Sequence, residues 1–185
     1  VEIAFAEMPK IPGIHILADN VRERLGVISF YLDDIHFNLV VKLLNDKFGV
    51  QVRGGCACAG TYGHILLDVS HDKSKQITDL INYGDLCQKP GWIRMSMHPT
   101  MTNDELYTII DAIRQVCLNH KEWEQDYRYN QKNNEFVHCC EPEDKDQVVK
   151  KWFQLPETKS VRHIDAMSTE RHLYFWVKKY FVINK

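Results

Sequence analysis

The segment VRGGCACAG, residues 52–60, sets two cysteines one residue apart behind a pair of glycines. A thiolate is both a strong nucleophile and a soft metal ligand, so Cys56 and Cys58 could carry either chemistry. The neighbouring glycines permit unusual backbone angles and leave the loop little side-chain mass with which to bury a thiol. Arg53, just ahead of them, places a positive charge where it would favour the thiolate. Against a reactive role stands the ordinary habit of free cysteine, which is among the most often buried residue types. A metal reading takes Cys56 and Cys58 with His64 and Cys87 as four ligands, but the spacing is irregular and C-x-C is not the usual structural zinc pair.

Arg94, in WIRMSM (residues 92–97), is the second candidate. Its guanidinium could be half of an ordinary ion pair, or a planar fork that grips a carboxylate bidentately where lysine cannot. His98 and Cys87 read as loop residues. The adjacent pair Cys139 and Cys140 reads as incidental, because neighbouring side chains do not converge easily on one ion.

The elements that must position these groups are legible in outline. IHIL (14–17) and GVISFYL (26–32) read as strands joined by a polar hairpin connection, the second apolar on both alternating faces. DDIHFNLVVKLLNDKFG reads as an amphipathic helix: Asp34 can cap it, Phe37, Val40, Val41, Leu44 and Phe48 recur at helical spacing, and Gly49 sits where a helix ends. VQVR (50–53) is then a third strand that runs into the cysteine loop. A long excursion comes next, with a short helix around Ile77–Ile81, before WIRMSM alternates as a strand. In TNDELYTIIDAIRQVC, Thr102 and Glu105 have the spacing of a capping box, and Leu106, Ile109, Ile110, Ile113, Val116 and Cys117 form one apolar face.

Strand, strand, helix, strand, loop, strand, helix predicts an α+β fold, a small sandwich of a mostly antiparallel sheet with helices on one face. Residues 1–120 are expected to form this domain. Residues 121–185 read as a C-terminal extension packing on it or on a partner chain, with a short helix at QVVKKWF and a terminal apolar element at HLYFWVKKYFVINK.

Composition excludes several functions. The chain has 185 residues, 44% hydrophobic and 26% charged, enough apolar mass for one sizeable core. Its net charge of −2 comes from interspersed acids and bases, so no basic stripe points to nucleic acid. No apolar run approaches the ~20 residues that span a bilayer. The N-terminus VEIAFAEMPKIPG has no signal-peptide pattern, so no membrane partner and a cytoplasmic location are expected. Six cysteines in such a chain then read as reduced thiols. The start at Val1, in place of methionine, predicts a piece of a longer polypeptide.

Taken in order, GVISFYL, a helix, VQVRGGCACAG, and WIRMSM with TNDEL resemble the C-terminal small domain of the class V aminotransferase family, specifically its cysteine desulfurase and selenocysteine lyase branch. The resemblance covers roughly residues 11–117. An R-x-G-x-x-C segment is matched by Arg53, Gly55 and Cys58, and an R-x-S segment by Arg94 and Ser96. The C-x-C form and the long insertion before Trp92 are also similar to the related domain of molybdenum cofactor sulfurases. The resemblance implies the small domain of a pyridoxal-phosphate enzyme of fold type I. Cys58 would be the sulfur-accepting catalytic thiol, Arg94 the anchor of the substrate carboxylate, and Arg53 a second substrate-binding residue. Pyridoxal phosphate would act as electron sink while Cys58 takes sulfur from substrate cysteine, keeps it as a persulfide and lets alanine leave. Cys56 has no certain counterpart in the desulfurases.

The family's cofactor lysine and phosphate cradle belong to a large domain upstream, so residues 1–185 alone are not expected to turn over substrate. His120-Lys121 mimics the local sequence of that lysine but follows the last helix, and is rejected on that ground. The implied partners are the upstream domain of the same polypeptide, a second copy in a homodimer and a sulfur-acceptor protein. Three alternatives stay open: a class V aminotransferase, epimerase or lyase acting on another amino acid, a non-catalytic thiol or zinc module, and a purely structural domain whose role is dimer contact.

Overall fold

The computed structural model describes residues 1–56, 60–140, 149, 150 and 153. Val1–Glu141 form one compact unit and Pro142–Lys185 a second. The elements expected over 147–153 and 172–185 lie largely outside the described residues.

The first unit is an α+β domain around a four-stranded, antiparallel sheet. Its strands are β1 (Ile14–Ile16), β2 (Val27–Leu32), β3 (Arg53–Gly55) and β4 (Trp92–Ser96), in the order β1-β2-β4-β3. The last strand in sequence is thus inserted between β2 and β3. Side chains alternate along each strand. Ile28, Phe30, Leu32, Ile93 and Met95 fall on one face and are fully or almost fully buried. They share a core with α1 (Glu2–Glu7), α2 (Phe37–Phe48) and α5 (Asn103–Trp123), through Ala4, Phe5, Leu39, Val40, Leu43, Leu44, Ile110, Ile113 and Val116.

Local chemistry sets the helix ends. Thr102 and Glu105 form the expected capping box, each side chain satisfying the other's main-chain N–H at 3.2 and 2.7 Å. Gly49 ends α2 at φ +67°, where other residues are strained. The start of α2 differs from expectation: Asp34 sits in a turn at φ +58°, and His36 caps instead, its Nδ1 accepting from the Asn38 N–H at 3.1 Å.

Strand β3 also lies later than VQVR predicts. Gly54 explains the displacement, because a Cβ there would lie 2.9 Å from both Asn38 Oδ1 and Phe37 Cδ2, so only glycine brings β3 down onto α2. The excursion holds two helices, α3 (Gly60–Leu66) and α4 (His71–Asn82), where one short helix is expected. Ser70 caps α4 by accepting from the Lys73 N–H. After α5, β5 (Tyr127–Asn130) and β6 (Glu135–His138) pair as a hairpin. The hairpin joins α2 through Tyr127 Oη donating to Asp46 at 3.1 Å and Asn38 donating to the Asn134 carbonyl. Among the described residues no helix is long and apolar enough to cross a membrane.

Candidate active site

The face of the sheet turned away from α2 and α5 carries polar side chains beside the buried Trp92. Register decides what meets there: Arg94 on β4 lies opposite Ser29 of β2 on one side and opposite Arg53 of β3 on the other. Residues directly opposite in an antiparallel pair share a face, so the row Ser29–Arg94–Arg53 crosses three strands. Arg53 is exposed and Arg94 half-buried, and among the described residues no carboxylate pairs with either. The Arg94 Nε is buried without a hydrogen-bond partner. A buried unsatisfied donor costs about 1–3 kcal/mol, more when charged. An anion seated beside Arg94 would satisfy the orphaned donor, and a carboxylate suits the guanidinium fork.

The strand that carries Arg53 leads straight to the thiols. Gly55 adopts φ +114°, a conformation essentially reserved for glycine, and turns the chain out of the sheet. Cys56 is the next residue. Its Sγ donates to the Pro90 carbonyl at 2.7 Å, and burial pushes the thiol up, against the opposing charge of Lys89. Cys56 is therefore held as a neutral thiol tying the loop to the approach of β4. Gly63 of α3 packs onto the same place, since a Cβ there would lie 3.1 Å from the Trp92 ring and 3.3 Å from Cys56 Sγ. Cys58, the candidate nucleophile, lies in residues 57–59, outside the described residues.

The other sequence-level candidates scatter. His64 Nδ1 is hydrogen-bonded to Ser74 Oγ, joining α3 to α4. The Asp85 carboxylate pushes the Cys87 thiol up and accepts the Cys87 N–H at 2.9 Å. Among the described residues no three His, Cys, Asp or Glu side chains are grouped to hold a metal ion. His98 bonds Thr100 Oγ1 at 2.7 Å in the turn before α5. Cys139 and Cys140 are exposed free thiols just after the hairpin. His120 does not follow the last helix but lies inside α5, buried, with Nδ1 bonded to the Cys117 carbonyl at 2.9 Å.

Comparison with known families resolves what kind of domain this is. The aminotransferase class-V family profile matches residues 1–109, more than half of the 185. The chain belongs to the aminotransferase class-V family. Comparison with the curated proteins finds no match. Class V aminotransferases are generally dependent on pyridoxal phosphate, which makes this a domain of a pyridoxal-phosphate enzyme family.

The unpartnered Arg94 Nε is a donor open to an anion such as a carboxylate. Lys10 pairs with Glu7 and Lys42 with Asp46, Lys47 lies over the Trp123 ring, and every other described lysine is exposed.

Sequence reasoning reaches Arg53 and Arg94 as separate motif positions but misses that they are neighbours. It also misses the attachment of Cys56 to Pro90 and the packing role of Gly54. The doubled glycine is the signal that could have found the last: one glycine serves the turn, and a second needs its own reason.

Proposed function

We propose that this chain is the small domain of a pyridoxal-phosphate enzyme of the cysteine desulfurase or selenocysteine lyase type. The supporting observation is the uncompensated pair of arginines, Arg94 with a buried unpartnered Nε and Arg53 opposite it, on the strand that leads into the two-cysteine loop. Arg94 holds the substrate carboxylate, with Arg53 as the second cation. That grip orients the substrate's side-chain sulfur toward the loop. Bound in a preceding domain of the same polypeptide, the cofactor supplies the electron sink.

Cys58 acts as thiolate on the substrate sulfur. The substrate C–S bond breaks and an S–S bond forms to Cys58; the electron pair of the broken bond stays with the substrate carbon, which takes up a proton. Alanine leaves and a persulfide stays on Cys58. The two thiols divide the labour, because Cys56 is held neutral by burial and by its bond to Pro90. The family's dimer and a sulfur-acceptor protein are the partners this reading entails.

The test uses the full-length enzyme loaded with pyridoxal phosphate and supplied with L-cysteine. Alanine in the products, with one added sulfur on the Cys58 peptide by mass spectrometry, is the expected result. Cys58→Ser should abolish release of sulfur while cofactor binding is retained. A cofactor-loaded enzyme that gives neither alanine nor persulfide would move the assignment to an aminotransferase, epimerase or lyase acting on another amino acid.

A further inference from the structure

Strand β6 ends at His138, and the next two residues are both cysteines. Of the free thiols among the described residues, Cys139 and Cys140 are exposed, whereas Cys56, Cys87 and Cys117 are half-buried. The half-buried thiols are also engaged. Cys56 Sγ donates to Pro90 O and Cys117 Sγ to Pro12 O at 2.9 Å, burial pushes both thiols up, and Asp85 does the same to Cys87. Among the described thiols a dissolved reagent therefore meets Cys139 and Cys140 first.

Neighbouring side chains do not converge easily on one ion, but two neighbouring thiols can join each other. Cα atoms across a trans peptide are about 3.8 Å apart, closer than the roughly 4.4–6.8 Å usual for a disulfide. A bond between Cys139 and Cys140 is therefore strained. A strained, exposed disulfide is readily reduced again, which suits a reversible modification and not a permanent staple.

The pair is built into the end of the hairpin. The Cys139 N–H donates to Asp126 O at 2.8 Å, extending the pairing one step past Tyr127 and His138, and the Cys140 N–H donates to His138 Nδ1 at 3.1 Å. The His138 ring stands edge-on to that of Tyr127, with centroids 5.0 Å apart. Tyr127 is buried and carries the hydrogen bond that ties the hairpin to Asp46 of α2. Drawing the two Sγ atoms together rotates the peptide plane between them. The Cys140 N–H lies in that plane, so it turns away from His138 Nδ1 and frees the imidazole that packs on Tyr127.

We propose that Cys139 and Cys140 form a thiol–disulfide modification site, closed by exchange with a small dissolved disulfide and transmitted to the hairpin through His138. One thiolate attacks the dissolved disulfide, bonds to one of its sulfurs and expels the other as a thiolate. The neighbouring thiol gives up its proton, attacks the protein sulfur of that mixed disulfide and expels the second. The two protein sulfurs are oxidised; the dissolved disulfide takes the two electrons and leaves as two thiols with the two protons. Nothing in this step depends on the chain's belonging to a desulfurase.

The test treats the reduced, full 185-residue chain with glutathione disulfide, alkylates the remaining thiols and maps the peptides by mass spectrometry. The expected product is a peptide holding Cys139 and Cys140 that is lighter by two hydrogens, carries neither alkyl group nor glutathione, and is restored by dithiothreitol. Its oxidation should run about ten-fold or more ahead of Cys56, Cys87 and Cys117. Cys139→Ser and Cys140→Ser, at exposed positions, should each retain glutathione on the thiol that is left, since nothing remains to displace it. In NMR spectra of the oxidised chain the Cys140 amide and the His138 ring should shift, and that amide should exchange about ten-fold faster. Two alkylated cysteines after treatment, glutathione retained on the native pair, or a bridge from either to any other cysteine overturns the site. A closed pair with unmoved His138 resonances overturns its transmission to the hairpin.

Discussion

The two faces of one sheet follow opposite rules. On the helix-covered face Ile28, Phe30, Ile93 and Met95 are almost wholly inaccessible and uniformly apolar. On the other, within the same strands and one residue away, Ser29, Arg94 and Arg53 line up with charge uncompensated and a donor unsatisfied. The difference separates residues that hold the domain together from residues held in readiness for a ligand, and it can be tested by substitution on each side.

The largest effect is expected on the apolar face. Phe30 is fully buried at the centre of β2, so Phe30→Ala should destabilise the domain by about 3–5 kcal/mol. Its neighbour Ser29→Ala, on the polar face, should stay within about 0.5 kcal/mol. Denaturant unfolding of the two variants checks this directly, and equal losses would erase the distinction.

Arg94→Leu should invert the pattern. Removing the unpartnered donor should leave stability unchanged or raise it by about 1 kcal/mol. In the cofactor-loaded full-length enzyme the same change should lower kcat/KM for the amino-acid substrate by about 10–100-fold, the worth of a charged hydrogen bond. A variant that loses stability and activity together would make Arg94 a structural residue.

Between these extremes stands Gly54, which belongs to the motif strand but to the apolar face. Gly54→Ala would press a methyl against Asn38 and Phe37 and should cost about 1–3 kcal/mol in thermal or denaturant unfolding. Gly55→Ala would meet no atom within 4 Å, so any loss there comes from the φ of +114° alone. The motif's two glycines are thereby distinguishable by experiment.

How far the sequence alone reaches depends on what each feature rests on. The alternation in WIRMSM, the Thr102–Glu105 box and the glycine ending α2 are local signals, and each predicts its element. Features resting on partners distant in the chain are not legible. β3 forms over Arg53–Gly55 instead of VQVR because Gly54 meets α2, a contact no local pattern announces. The β5–β6 hairpin hides in polar residues because its support is a helix some 80 positions earlier, through Tyr127 and Asp46. The site divides in the same way: Arg53 and Arg94 stand out as motif residues, but their adjacency comes from β4 inserting between β2 and β3.

The smallest predicted effect lies on the helix-covered side, where His36 titrates. Burial lowers its pKa, against a smaller opposing contribution from the Asn134 side chain. A histidine whose folded pKa lies below its unfolded value, about 6.5, binds more protons unfolded than folded. Its contribution to stability is therefore fully present above that value and is lost as pH falls toward and through the folded pKa. Beside burial, the geometry adds a further cost of protonation: Nδ1 accepts the Asn38 N–H to cap α2, and a proton on Nδ1 removes that acceptor. Loss of a cap is worth about 1 kcal/mol. Unfolding free energy measured from pH 7 down to 5 should fall by roughly that amount in the native domain. His36→Asn, which can cap without titrating, should flatten the decline. An unchanged slope in the variant would transfer the acid sensitivity to other groups and leave the helix-covered face free of titrating contacts at His36.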